Sequence, residues 1–252
     1  MLLAKIILTP ANFFSIKRAE SYQYAPSYLL PPPSTLLGAF ARGLFLLKRT
    51  PAPRNIQETE AMIITATARA LTVLTRTSTI LKRMRTLEPR EEVEKEAFRP
   101  RTDAMVREIV SLPRMECYYL LNKDETYDVL GGEVETELKR IAYSIDRLGD
   151  SESLVSVLSV DIITVEVKDP PPEVSVKTIL EKDLTEEVSG NYIYTIMPDL
   201  RDRSKPKEYY VPLSTVPERT DVYHPSAFSI KPKKNVSMVK AYDVPILFFR
   251  DH

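Results

Sequence analysis

Basic side chains are concentrated in one stretch of the first half of the chain. Residues 65–87 include five lysines or arginines and no acidic residue. Threonine and β-branched residues lie between these cations and favour a strand pair, along which charges and hydroxyl groups can follow a phosphate backbone. The alternative is an edge hairpin kept soluble by its charges. The candidate cations of this stretch and just beyond it are Arg69, Arg76, Lys82, Arg83, Arg85, Arg99, Arg101 and Arg107.

A second group of residues combines aromatic rings with positive charge near the N-terminus. Tyr22, Tyr24 and Tyr28 follow closely after Lys17 and Arg18 in a segment that is typical of a long loop. Single-stranded RNA is commonly held by aromatic rings beside cations. Tyrosine also packs well in loops that cover a core. Both interpretations of the tyrosines stay open at this point.

Residues for catalysis or metal binding are scarce. The chain has two histidines, His224 and His252, and one cysteine, Cys117, which excludes a histidine-rich metal site and a zinc site built from cysteines. It also has no G-x-x-x-x-G-K-[ST] phosphate-binding loop. Tyr223 and His224 could serve acid–base ribonuclease chemistry, but a single histidine before Pro225 in a turn is more often structural. We therefore expect no cofactor, no metal and no catalytic residue.

The composition is that of a soluble globular protein, with 43% hydrophobic and 28% charged residues among 252. The 35 basic and 35 acidic side chains balance overall, but residues 1–110 carry 17 basic and 10 acidic ones, and residues 111–200 carry 8 and 19. This asymmetry suggests a polyanion partner for the first part. No stretch approaches the roughly 20 apolar residues of a membrane helix. The single cysteine fits a reducing cytoplasm, and the many prolines and charges are typical of a thermophile.

The periodicity of apolar residues predicts an α+β fold. A buried strand precedes an amphipathic helix that begins at Pro33 and ends near Lys48. The further predicted elements give the order strand, helix, strand, strand, helix, strand, which is the ferredoxin-like βαββαβ pattern. They are a strand at 2–8, a short helix at 58–67, strands at 68–83 and 115–121, a helix at 133–148 and a strand at 154–167.

The triple proline at 170–172 marks a predicted boundary. We expect a first domain over residues 1–169 and a mainly β region over residues 170–252. Short β-rich segments separated by polar turns predict the strands of the second region. These strands lie at 174–180, 192–197, 209–213, 227–230 and 236–249.

Two segments resemble a known family. Residues 28–39, YLLPPPSTLLGA, look like the proline-rich entry to the first helix of the CRISPR-associated Cas-five family, within the RAMP superfamily. Residues 145–155, IDRLGDSESLV, resemble the turn into the fourth strand of that family. Their order and separation also fit, and the archaeal type I-A branch fits the composition best.

The resemblance implies a fold and a function. The family has a ferredoxin-like, RRM-like domain with a protruding β-hairpin thumb, and it caps the 5′ handle of CRISPR RNA within the antiviral Cascade complex. There it contacts the Cas-seven-type backbone subunit and the large subunit. The thumb would fall at about 76–112, where the residues already predict a basic excursion that is either an extended hairpin or a functional loop. The candidate RNA-binding residues are Lys17, Arg18, Tyr22, Tyr24, Ser34, Thr35, Arg42, Arg76, Lys82, Arg83, Arg85, Arg99, Arg101 and Arg107.

Three functions remain possible from the sequence. The hypothesis is a non-catalytic RNA-binding subunit, because the type I-C branch of the family cuts RNA with Tyr, Lys and His, and this chain has no histidine before His224. It also lacks the C-terminal glycine-rich loop of the related Cas-six nucleases. The first alternative is a metal-independent endoribonuclease with His224 as its base. The second is an adaptor whose basic hairpin contacts an acidic protein surface and not RNA.

Overall fold

Helices and strands alternate in the first two thirds of the chain. The computed structural model describes residues 1–18, 24–84, 102–202 and 204–250, with the backbone alone for 82–84 and 102–103. The elements of this part are β1 (Leu2–Pro10), β2 (Tyr24–Ala25), α1 (Pro33–Lys48), α2 (Arg54–Met62), β3 (Ile63–Ala70), β4 (Leu74–Met84), β5 (Thr102–Ser111), β6 (Met115–Leu121), α3 (Lys123–Leu130), α4 (Val134–Tyr143) and β7 (Val155–Thr164).

The central sheet has the strand order β3-β6-β1-β7, and all of its neighbouring strands are antiparallel. Its strands are separated in the chain by α1 and α2, by the β4–β5 excursion, and by α3 and α4. The fold is therefore the mixed α+β fold that the sequence predicted.

The helices cover one face of this sheet. Successive side chains of β1 point to opposite faces, so every second one faces the helices. Its residues Leu2, Ala4, Ile6 and Leu8 are buried together in the main core. That core also contains the apolar stripe of α1, and each of its fully buried large side chains stabilises the fold by roughly 1.5–3 kcal/mol. From the helices it receives Leu36, Phe40, Leu44, Leu138 and Ile141.

Helices α1 and α4 approach each other closely at Gly43. A Cβ atom on this glycine would lie 2.4 Å from the carbonyl oxygen of Ile141, a distance that real contacts do not show. The absence of a side chain at Gly43 thus lets the two helices pack on the same face of the sheet.

Several predicted boundaries need correction. The helix predicted at 58–67 is α2, which begins at Arg54 and ends at Met62, because residues 63–70 pair with β6 as strand β3. The helix predicted at 133–148 ends at Tyr143. Helix α3 was not predicted; Asn122 caps it by accepting hydrogen bonds from the amides of Asp124 (3.0 Å) and Glu125 (3.4 Å).

Strands β4 and β5 form a long antiparallel hairpin that departs from the central sheet. Their register runs from Thr75 opposite Ser111 to Met84 opposite Thr102. Residues 85–101, between these strands, lie outside the described residues.

The C-terminal part is built from short strands. They are β8 (Val174–Val176), β9 (Leu180–Glu181), β10 (Thr185–Gly190), β11 (Ile193–Pro198), β12 (Pro206–Val211), β13 (Leu213–Val216), β14 (Arg219–Pro225), β15 (Phe228–Pro232), β16 (Val236–Ala241) and β17 (Val244–Phe249), with a 3-10 turn at Lys182–Leu184. The strand predicted at 236–249 is thus a hairpin, β16–β17, which reverses at Tyr242 with a φ of 57°.

The β16–β17 hairpin lies between the central sheet and the other C-terminal strands. One of its faces, which includes Val239 and Ile246, packs on Leu3 and Tyr118, on the sheet face opposite the helices. Its other face packs on residues of β8 and β15, including Val176. The boundary predicted near residue 170 stays a prediction. Among the described residues, no helix is long and apolar enough to cross a membrane.

The base of the β4–β5 hairpin is held from both sides. Strand β14 of the C-terminal part pairs with β4, and the short strand β2 pairs in parallel with β5. The hairpin is therefore an arm whose base belongs to the body of the protein.

Candidate nucleic-acid interface

A cleft of about 340 Å³ opens at the first turns of α1. It brings together the two segments that carry the family resemblance, although more than 100 residues separate them in the chain. Its lining also includes residues of the loop after β1 and the last residue of β11. The lining residues are Ile16, Lys17, Tyr28, Pro32, Ser34, Thr35, Gly38, Ala39, Arg42, Arg147, Gly149 and Pro198.

Among the described residues that line this cleft, three are cations and none is acidic or a histidine. Arg42 lies on α1, one position after a buried residue of the helix, and its side chain is therefore only partly buried. Lys17 is exposed in the loop after β1, and Arg147 follows α4 in the turn toward β7. Within the described ranges these three cations outnumber the one carboxylate that pairs with them, that of Asp146, so the cleft keeps a positive charge that suits an anionic ligand.

Asp146 orients both arginines of the cleft. Its carboxylate accepts hydrogen bonds from Nε and Nη2 of Arg42 at 2.6 and 2.8 Å, and from the same atoms of Arg147 at 3.3 and 3.5 Å. The hydrogen bonds from Arg42 are the main reason why the pKa of Asp146 falls to about 2. The short, two-pronged pairing fixes Arg42, whereas the longer contacts leave Arg147 more loosely held.

The turn that carries Arg147 is a compact, hydrogen-bonded loop. The amide of Leu148 donates to the carbonyl of Ser153, and the amide of Ser153 donates to the carbonyl of Asp150, both at 3.0 Å. Gly149 has a φ of 82°, and a Cβ atom there would lie 3.0 Å from the side chain of Ile16. Glycine is required at this position, since it combines the left-handed backbone with a close approach of the loop after β1.

Arg107, which the sequence placed among the RNA-binding cations of the thumb, is buried beneath this turn. Its guanidinium donates to Oγ of Ser15 at 3.0 Å, to Glu152 at 2.7 Å and to Asp150 at 2.5 Å. The side chain is 8% exposed. Because these three partners occupy its donors, Arg107 connects the hairpin base to the turn, and we remove it from the candidate RNA contacts.

A second group of candidates surrounds Glu108 at the hairpin base. The buried Glu108 accepts a hydrogen bond from the hydroxyl of Tyr24 and one of 2.9 Å from the amide of Ser27. Arg76 lies 3.7 Å from the same carboxylate, with its guanidinium 5.6 Å from the centre of the Tyr223 ring. The hydrogen bond to Glu108 raises the pKa of Tyr24. Tyr24 is 45% exposed, so it presents an oriented ring to solvent.

The remaining predicted residues differ in their positions. Arg18 lies with its guanidinium 5.3 Å from the centre of the Tyr28 ring, beside the cleft. Ser34 is buried and Thr35 is half-buried in the first turn of α1. The backbones of Lys82 and Arg83 belong to β4, and their side chains are not described. Tyr22, Arg85, Arg99 and Arg101 lie outside the described residues.

The structure adds Asp146 and Arg147 to the sequence-based candidates. Both lie in the second family-like segment, so the signal was present in the sequence. Their opposite charges at adjacent positions gave no hint that Arg42, about 100 residues earlier, would meet them. His224 is exposed on β14, opposite Ser214. The described part of the chain contains no group of three or more His, Cys, Asp or Glu that could hold a metal ion.

Comparisons with known proteins assign the chain to a family. Residues 7–237 match the model of the family described as CRISPR-associated protein (Cas_Cas5). The chain belongs to this Cas5 family. A curated Cas5 relative, the CRISPR-associated protein Cas5 of Methanocaldococcus jannaschii, is 28% identical over 231 residues, which cover 88% of this chain and 89% of the relative.

A solved structure shares the fold of this Cas5 family member. It is a CRISPR protein from Archaeoglobus fulgidus, with a TM-score of 0.64 and 18% identity over 99% of both chains. A chain titled CRISPR RNA-guided surveillance complex aligns with a TM-score of 0.45 and 15% identity, covering 96% of this chain and 91% of its own. The match to the family model over residues 7–237 confirms the family membership that the sequence suggested.

Proposed function

We propose that this protein is a non-catalytic RNA-binding subunit of a type I CRISPR surveillance complex (Cascade). In this proposal the cleft at the start of α1 holds the 5′ handle of the CRISPR RNA. One observation carries the proposal: the two family-like segments meet in one cleft, and the charged side chains that line it in the described part of the chain are Lys17, Arg42 and Arg147.

The architecture supports a ferredoxin-like assignment of the first region. Strand β1, helix α1, strands β3 and β6, helix α4 and strand β7 follow one another in the βαββαβ order, and the strand order β3-β6-β1-β7 is that of a split βαβ unit. In this assignment the hairpin β4–β5 corresponds to the thumb. The half-buried Arg76 and the exposed Ile80 lie on β4, and the exposed Tyr24 lies on the adjoining strand β2; these side chains suit contacts with RNA outside the cleft.

The chemistry of the cleft suits phosphates. Guanidinium groups bind phosphate oxygens with two parallel hydrogen bonds, and hydroxyl groups such as that of Thr35 supply further donors. Binding releases counterions from the RNA, so affinity falls as salt rises. If all three cations neutralise phosphates of a single strand, the slope of log K against log salt is about −2.

The same geometry favours binding over cleavage. Where the structure describes the lining of the cleft, no side chain accepts protons near neutral pH, and the exposed His224 lies on β14 and does not line the cleft. We therefore propose that the protein positions the guide RNA and does not cut it. The neighbouring backbone and large subunits are its proposed protein partners, and the cytoplasm its proposed location.

The test is a titration of the purified chain into labelled RNA that carries the repeat-derived 5′ handle, with scrambled RNA and EDTA alongside, followed by a denaturing gel. We expect preferential binding of intact handle RNA. Arg147→Ala should weaken it about 5- to 20-fold, as expected for a charge-assisted hydrogen bond, while the control Arg54→Ala, a guanidinium on α2 that is 76% exposed, leaves it unchanged.

Three results would contradict the proposal. Specific RNA fragments that disappear in His224→Ala would favour the endoribonuclease. Equal RNA affinity of the wild-type chain and the Arg147→Ala variant would contradict the binding of RNA in the cleft. A complex that assembles after ribonuclease treatment and does not bind RNA would favour the adaptor.

A further inference from the structure

Arg18 lies close to both the cleft and the base of the arm. It directly follows Lys17, which lines the cleft, and its guanidinium lies 5.3 Å from the centre of the ring of Tyr28, which lines the cleft as well. It is also within electrostatic range of Tyr223 on β14, whose ring centre lies 5.6 Å from the guanidinium of Arg76 on the arm. An RNA strand that leaves the cleft toward the arm therefore passes Arg18.

The charge of Arg18 is not neutralised by a carboxylate. Within the described residues Arg18 forms no ion pair and is held by its contact with the Tyr28 ring, whereas each neighbouring arginine faces an acidic side chain. These pairs are Arg42 and Arg147 with Asp146, Arg76 with Glu108, and Arg107 with Asp150 and Glu152. Arg18 is therefore a cation that remains available to an anionic ligand.

The surroundings of the Arg18 guanidinium limit how a ligand can approach it. The Tyr28 ring lies against one side, and Nε is buried without a hydrogen-bond partner in the described part of the chain. A carboxylate or phosphate binds arginine in the plane of the guanidinium through two donors on one edge, as Asp146 binds Nε and Nη2 of Arg42. The buried Nε of Arg18 withdraws this edge. Because an unmet buried donor also disfavours folding, stability does not explain the position of Arg18.

We propose that Arg18 stacks on one unpaired base of the RNA as the strand leaves the cleft. Bases of single-stranded RNA stack on guanidinium planes as well as on aromatic rings, and the Tyr28 ring supports the guanidinium from behind through a cation–π contact. The half-buried side chain keeps its other side for the flat face of the base. The inference rests on the proposed function, because it takes RNA in the cleft as given, and it adds a base contact to the phosphate contacts of that function.

The first experiment compares Arg18→Lys with the wild type by fluorescence anisotropy on 5′-handle RNA over a series of salt concentrations. Lysine keeps the charge and loses the plane. We therefore expect RNA affinity to fall about five- to tenfold, while the slope of log K against log salt stays that of the wild type. The matched control is Arg54→Lys, the same replacement at a guanidinium that is 76% exposed on α2 and does not line the cleft; it should bind RNA as the wild type does.

The second experiment uses a series of handle RNAs that each lack one base. At one position, the missing base should weaken binding by the wild type about five- to tenfold and have no further effect on Arg18→Lys, because both changes remove the same contact. Replacing that base by any other base should change the affinity little, since every base has a π-face.

The outcomes separate this inference from the proposed function. Arg18→Lys that binds handle RNA as tightly as the wild type overturns base stacking, since charge alone then suffices. A series in which no missing base weakens binding by the wild type overturns it whatever the stability of the variant, and so do effects of Arg18→Lys and of the missing base that add at every position. If the wild-type chain does not prefer handle RNA to scrambled RNA, the proposed function fails and this inference fails with it.

Discussion

Asp146→Asn removes a negative charge beside the cleft, yet we expect it to weaken RNA binding. The carboxylate holds Arg42 through two short hydrogen bonds and Arg147 through two longer ones. An asparagine amide has one oxygen where the carboxylate has two, so it cannot pair with both guanidinium groups. The arginines would then sample other rotamers before RNA arrives.

Two opposing effects decide whether Asp146→Asn binds RNA more weakly or more tightly: the loss of a negative charge and the loss of order in the two arginine side chains. Removing a charge at about 7 Å from a phosphate in a water-like environment gains about 0.6 kcal/mol. Ordering two released arginine side chains costs about 1–3 kcal/mol on binding. The net loss of about 1 kcal/mol corresponds to RNA binding that is about fivefold weaker.

The assay is fluorescence anisotropy with 5′-handle RNA at fixed salt. Asp161→Asn is the matched control, since Asp161 is 44% exposed beside Lys5 and Asp146 is 41% exposed. Both variants lose one negative charge, but Asp161 does not line the cleft or pair with its cations. We expect the control to bind RNA as well as the wild type or slightly better. Asp146→Asn that binds as tightly as its control would refute the positioning role.

Three further predictions concern stability. The pKa of Asp146 is lowered to about 2, so its ionised form stabilises the fold above pH 3.8, and this contribution is lost as the pH falls toward 2. The free energy of unfolding of the wild type should exceed that of Asp146→Asn by roughly 1 kcal/mol at neutral pH, a value reduced for the exposure of the pair. Urea unfolding should show this difference shrinking toward pH 2. Gly43→Ala places a Cβ against the Ile141 carbonyl and should lower the free energy of unfolding by about 2 kcal/mol and Tm by roughly 4–8 °C; an unchanged Tm by calorimetry would contradict the close helix packing. Arg107→Ala leaves two carboxylates without their buried partner and should cost about 2 kcal/mol, whereas a loss of RNA affinity without a loss of stability would restore Arg107 as an RNA contact.

Local patterns predicted part of this fold. The alternation of β1 and the three- and four-residue spacing in α1 predicted both elements, because each buries a regular stripe. The boundary between α2 and β3 was missed because the alanines and threonines at 63–70 are compatible with either a helix or a strand. The pairing of β14 and β2 with the hairpin was not predictable, since it joins short strands that are distant in the chain.

The candidate site was predicted in composition more than in geometry. Lys17 and Arg42 line one cleft, but nothing in the sequence indicated that Arg107 is buried. The distribution of charge along the sequence predicts where cations are present. Which of these cations face solvent depends on tertiary contacts that the sequence pattern does not show. The role of Asp146 and Arg147 likewise depends on a contact between segments far apart in the chain.

The buried position of Arg107 has a consequence for how the arm can change over evolutionary time. Its partners Ser15, Asp150 and Glu152, with the two backbone hydrogen bonds between Phe14 and Val110, fix the register of the arm where it leaves the body. Insertions and deletions farther out can lengthen or shorten the arm without moving the turn that carries the cleft. A single-residue insertion between Arg107 and Val110 would instead shift every contact at the root, so length variation among relatives should be confined to the outer part of the arm.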